Sequence, residues 1–88
     1  MRITDMNTAQ VKEELHRLWG ELLPSKSFDE DSDFLSVGGS SLKVMSLFVK
    51  CMKKFGVKME VKNFYALNTI NRQSAFITGE LQLEAQLE

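Results

Sequence analysis

The chain has 88 residues, 43% of them hydrophobic and 26% charged, with a net charge of −1. That is enough for one small core but not for an enclosed catalytic cleft beside it, and the near-neutral balance points to neither nucleic acid nor an acidic partner. A single proline and five glycines argue against a many-stranded β architecture, and no run approaches the ~20 apolar residues of a membrane span.

The first periodic segment runs from Thr8 to Leu23, with Val11, Leu15, Leu18 and Leu22 at helical spacing. Asn7 with Gln10 forms an N-terminal cap, and Pro24 stops the helix. His16 and Trp19 fall near the edge of the stripe. The histidine has no second ligand nearby, and the tryptophan is expected to cover the core. Residues 24–40, "PSKSFDEDSDFLSVGGS", are a long connection that Phe28, Phe34 and Leu35 pin to the core while Asp29, Glu30, Asp31 and Asp33 stay in water. The acidic cluster lacks the closing glutamate of a calcium loop, so no metal site is assigned.

A second helix is expected from Ser41 to Phe55, ended by Gly56. Stepping ~100° per residue puts Lys43, Ser46, Lys50, Lys53 and Lys54 on one solvated face. Val44, Leu47, Phe48, Cys51 and Phe55 form a core stripe. Leu42, Met45, Val49 and Met52 remain as a second apolar strip beside Ser41, so the apolar arc is about twice what one bundle face needs. Either the bundle surrounds this helix on two sides or the strip is an adaptable docking surface. A short amphipathic piece follows at 60–66. The last helix starts near Asn68 or Thr69 and runs to about Ala85, with Ile70, Phe76, Ile77 and Leu81 inward. The fold class is all-α, a small bundle of three main helices and one short one. One domain spans 7–85, with 1–6 and 86–88 as tails. The lone Cys51 and the lack of a signal peptide point to a reducing cytoplasm.

Gly38 and Gly39 bring the chain sharply into the second helix. Ser40 serves as the cap, which leaves Ser41 at a helix N-terminus, where free amides and the dipole favour an attached phosphate.

In this setting "FLSVGGSSL" resembles the phosphopantetheine attachment motif of carrier proteins, and its double glycine is most like the peptidyl (thiolation) carriers of non-ribosomal peptide synthesis. Phe55-Gly56-Val57 resembles the "F-G-V" after that family's second helix, and "YALNTI", residues 65–70, resembles its "F-x-x-P-T-I" junction. Trp19 lies where the family's first helix often holds an aromatic. Ser40, Val37 and Asn68 depart from the usual Asp or His, Leu and Pro. The resemblance implies a four-helix carrier fold with 4′-phosphopantetheine, derived from coenzyme A, esterified to Ser41 within the motif Gly38, Gly39, Ser40 and Leu42. It also implies an aminoacyl or acyl thioester on the arm. The implied partners are a phosphopantetheinyl transferase, an adenylation (loading) enzyme, and condensation, thioesterase or other tailoring enzymes. Leu42, Met45, Val49 and Met52 are then the partner-binding strip, on a protein without catalytic residues, metal, nucleic acid or membrane, and monomeric. The five lysines between residues 41 and 58, with no acid among them, disfavour fatty acid synthesis.

The alternatives are weaker. A G-x-S-x-G elbow needs glycine at 43, which is lysine, and "SSLK" formally matches the S-x-x-K motif but lacks the further motifs that accompany it in much larger proteins. Polyketide or other stand-alone acyl carriage stays open within the family. Outside it stands a helical protein- or nucleic-acid-binding module that uses the lysine face. The closeness of Met1 to the first helix favours a stand-alone carrier.

Overall fold

The computed structural model describes residues 6–81, and within them the order is α1 (Thr8–Leu22), α2 (Ser41–Phe55), a 3₁₀ helix (Val61–Ala66) and α3 (Ile70–Ile77). The bundle is all-helical across these residues, as expected. Helix α1 packs against both α2 and α3, and the 3₁₀ helix packs on α2. The expected ends of the single domain, at 82–85, lie outside the described residues.

Helix α1 opens with a reciprocal cap: the Gln10 N–H donates to Asn7 Oδ1 at 2.8 Å, and the Asn7 N–H donates to Gln10 Oε1 at 2.9 Å. It ends one residue earlier than expected. Leu23 sits at φ −129°, ψ 60°, outside the helix, because the ring of Pro24 disfavours helical geometry at the residue before it. Val11, Leu15, Leu18 and Leu23 are buried, whereas Leu22 is half-buried.

Trp19 is not at the edge of the core but in its middle, fully buried. A buried indole N–H needs an acceptor, and Gln73 supplies it: Trp19 Nε1 donates to Gln73 Oε1 at 3.0 Å. Gln73, itself fully buried, donates through Nε2 to the Leu67 carbonyl at 2.7 Å. One glutamine thus satisfies α1 and the chain entering α3 together.

The connecting loop is tied down by polar as well as apolar groups. Phe34 is fully buried edge-on to Trp19, with ring centroids 4.9 Å apart, and Phe28 tilts against Trp19 and stacks on His16. Leu35, expected inward, is exposed instead. The acidic residues do more than face water. Asp33 Oδ1 accepts from the Leu35 and Ser36 N–H groups, and its Oδ2 accepts from Asn68 Nδ2 at 2.6 Å. Asp31 Oδ1 accepts from Asn71 Nδ2 at 2.6 Å, and Glu30 pairs with Lys12 at 3.3 Å. The carboxylates therefore strap the loop to the start of α3 and to α1.

Helix α3 differs most from expectation. Thr69, not Asn68, caps it, accepting from the Arg72 N–H at 3.0 Å. The helix stops at Ile77, well short of Ala85. Gly79 turns left-handed at φ +88°, and the N–H groups of Glu80 and Leu81 both return to the Ala75 carbonyl, at 2.7 and 3.0 Å. That is a glycine-based helix stop. Ile70 and Ile77 are buried, while Phe76 and Leu81 are half-buried against the core.

Candidate functional site

The two glycines before α2 do different work. Gly38 adopts φ +115°, a conformation that strains any side chain. Gly39 has no such φ, but a Cβ there would strike the edge of the Phe34 ring and come within 2.7 Å of the Phe34 carbonyl oxygen. The Gly39 N–H donates to that same carbonyl at 2.9 Å. Gly38 therefore permits the turn, and Gly39 lets the turn lie flat on a core aromatic.

Ser40 follows in extended geometry and caps α2: its Oγ accepts from the Lys43 N–H at 3.3 Å, and its carbonyl accepts from the Val44 N–H at 2.8 Å. Ser41 is the first helical residue, exposed, and its hydroxyl takes no part in the cap. The first turn of α2 carries no acid. An anion attached at Ser41 would therefore meet the free amides and positive end of the helix, with no carboxylate in the same turn.

Apolar surface flanks Ser41 on two sides. Leu42, Met45 and Val49 are 77%, 51% and 44% exposed and line a groove of about 480 Å³ with Ser46, Lys50 and Lys53. Met52, expected to continue the strip, is half-buried and packs on the core. The strip thus spans three residues instead of four. On the other side a smaller cleft of about 140 Å³ is lined by Ser41 itself with Leu35, Val44, Val61, Phe64 and Tyr65. Tyr65 is 85% exposed. Sequence reasoning missed this cleft because it placed Leu35 in the core and treated 61–66 as an ordinary amphipathic piece. In a 3₁₀ helix the repeat is three residues per turn, so the faces fall differently.

The buried face of α2 matches the expected core stripe residue for residue: Val44, Leu47, Phe48, Cys51 and Phe55 are all buried. Burial pushes the Cys51 thiol up to about 12, so the chain's one cysteine is protonated and sealed at neutral pH. Around the solvated face the charges are uneven. Lys50 lies 3.9 Å from Glu21 and Lys54 3.7 Å from Glu14. Both glutamates are held more closely by Arg17, at 2.6 and 2.8 Å. The Arg17 hydrogen bond, with help from Lys54, holds the Glu14 carboxyl below its usual range.

A family model described as "Phosphopantetheine attachment site" matches residues 13–77, a span that contains the turn, both serines and the cleft. This chain belongs to that family. The group the family attaches is 4′-phosphopantetheine, and the bare serine at an acid-free helix N-terminus fits its phosphodiester. Among curated relatives the carrier chain is 32% identical over 85 residues to fusarin C synthetase of Gibberella moniliformis, covering 94% of this chain and 2% of that protein. It is 31% identical over 68 residues to surfactin synthase subunit 3 of Bacillus subtilis, covering 77% of this chain and 5% of that one. The carrier therefore spans only a small fraction of these relatives. Its fold is like that of a chain in the complex of the phosphopantetheine transferase Sfp with coenzyme A and a peptidyl carrier protein, with a TM-score of 0.72 at 22% identity. That match covers 78% of this chain and 90% of the other. No helix among the described residues is long and apolar enough to cross a membrane.

Proposed function

We propose that Ser41 bears the phosphopantetheine arm and that the protein carries an aminoacyl or acyl group on it as a thioester, in a pathway of the non-ribosomal peptide type. The observation that carries this is the division of labour between the two serines: Ser40 holds the helix cap and Ser41 presents a free hydroxyl beside it. The arm would supply the thiol that forms the thioester, a role that Cys51, buried and protonated, is unsuited to. The chain's own residues would act by presentation. Gly38 and Gly39 set the entry angle of the helix, its N-terminus stabilises the phosphodiester, and Leu42, Met45 and Val49 offer apolar contacts to visiting enzymes. The set includes a phosphopantetheinyl transferase, an adenylation enzyme, and condensation, thioesterase or tailoring enzymes. On this reading the protein catalyses nothing itself, works in the cytoplasm as a monomer, and has a carrier domain spanning 7–85.

The test is incubation with coenzyme A and a broad-specificity phosphopantetheinyl transferase, followed by intact mass and peptide mapping. One phosphopantetheinyl addition on Ser41 is expected. Ser41→Ala should lose the addition completely while keeping its helical circular dichroism and melting temperature. Addition on Ser40, or none on a folded protein, overturns the assignment.

A further inference from the structure

The groove along α2 has a chemically lopsided frame. Its lining combines the apolar Leu42, Met45 and Val49 with Ser46, Lys50 and Lys53, and at ~100° per residue the two lysines follow the apolar strip on the same side of the helix. Helix α2 contains no acidic residue. The nearest carboxylates, Glu14 and Glu21 on α1, reach only toward Lys54 and Lys50, at 3.7 and 3.9 Å, and both are already engaged by Arg17. Lys43 and Lys53 have no carboxylate within ion-pair distance among the described residues. Of the two groove lysines, Lys53 thus has no ion-pair partner among the described residues and Lys50 shares Glu21 with Arg17, although the chain as a whole is slightly acidic.

The geometry points to an occupant with the opposite frame: a protein element that sets one or two apolar side chains into the Leu42/Met45/Val49 groove and carries a row of carboxylates facing Lys50 and Lys53. An acidic amphipathic helix has that form, with apolar anchors at i and i+3 or i+4 and glutamates along one flank. Charge complementarity of this kind sets which partner docks and how fast it arrives more than how tightly it is held. A partner with a basic docking surface would meet like charge along the same edge. The inference deepens the carrier reading, and rests on it for taking a protein as the occupant.

The groove also bears on the lysines themselves. A nucleic acid would use the lysines without the apolar floor, whereas a protein anchor would use both. The two occupants thus predict different footprints on the same helix.

The test uses the full chain, labelled with ¹⁵N, and two synthetic helical peptides. Both share one leucine stripe, flanked by glutamates in one and by lysines in the other. The acidic peptide is expected to shift the amides of Leu42, Met45, Val49, Lys50 and Lys53. Two exposed ion pairs replaced by two repulsions should make it bind about tenfold tighter than the basic peptide at 50 mM salt. That margin should shrink toward unity in 1 M salt, where the screening length falls to about 3 Å. The double variant Lys50→Glu/Lys53→Glu should reverse the preference while its circular dichroism stays unchanged. Leu42→Ser/Val49→Ser should weaken both peptides alike. Equal binding of the two peptides, no binding of either, or a footprint centred on Leu35, Val61 and Tyr65 overturns the inference. So does tighter binding of a duplex DNA oligonucleotide at the same salt. Phosphopantetheinylation of Ser41 is assayed on the same samples. No loading together with the expected peptide preference would strike the carrier reading and leave the acidic docking partner standing on its own footprint, and a failed peptide preference with Ser41 loaded would strike this inference alone.

Discussion

Helix α2 presents two apolar faces of similar composition, and the structure treats them in opposite ways. Val44, Leu47, Phe48, Cys51 and Phe55 face α1 and the 3₁₀ helix and are buried, whereas Leu42, Met45 and Val49 stay exposed. The first face stabilises the fold; the second lowers solubility and contributes nothing to the core. Neither hydrophobicity nor helical period distinguishes them. What does is the position of the other elements: α1, the loop with Phe34 and the 3₁₀ helix all gather on one side. On the proposed function, the apolar face left bare beside the exposed serine is where visiting enzymes would make contact.

That contrast can be broken or sharpened by substitution. The largest effect should come from Phe48→Ala, which removes a fully buried ring and should cost about 3–5 kcal/mol in chemical denaturation. A loss below about 1 kcal/mol would mean that the buried face is not the core. Next comes Gln73→Leu, which leaves both Trp19 Nε1 and the Leu67 carbonyl without their partner. Each buried orphan costs about 1–3 kcal/mol, and burial of the leucine side chain offsets part of the sum, so the variant should fall about 2–4 kcal/mol below the parent. Denaturant midpoints with unchanged slopes would check it.

Gly39→Ala should cost about 1–3 kcal/mol, because the added methyl must displace the Phe34 ring or the turn itself. Transfer of phosphopantetheine to Ser41 should slow in this variant, since the turn sets where the helix begins. Stability and transfer rate both unchanged would show that the turn tolerates the methyl. The smallest effect belongs to the bare face: Met45→Glu should shift stability by no more than about 0.5 kcal/mol. It should still impair a partner-dependent step measured on the loaded protein. Cooperative unfolding of Met45→Glu would erase the distinction between the two faces.

Much of this arrangement was legible in the residues. The ends of α2, its cap at Ser40 and the membership of its two apolar stripes follow from period, a left-handed glycine and a capping serine, all of which act within a few residues. The cap of α1 was equally local. Asn68 and Thr69 are equivalent as starts of α3 in the sequence, and the structure separates them because the Asn68 side chain is used at long range, against Asp33, while Thr69 makes the local cap. Helix α3 ends at Ile77 although the apolar repeat continues beyond it, because Gly79 turns left-handed; that glycine is the signal of the end in the sequence. The acidic loop residues read as solvated because their partners, Lys12, Asn68 and Asn71, are distant in sequence.

The sequence by itself determined the local instructions: where helices start, which stripe of each is apolar, and that a glycine pair followed by two serines leads into a helix N-terminus. These depend on backbone sterics and on side chains within one or two turns. The tertiary structure alone decided that Trp19 lies in the centre and needs Gln73, and that Met52 folds in while Met45 stays out. It also opened a cleft at Ser41, because Leu35 and Tyr65 turn outward. Those outcomes depend on which elements pack together across the chain, and packing between distant segments leaves no fixed spacing in the sequence to be read.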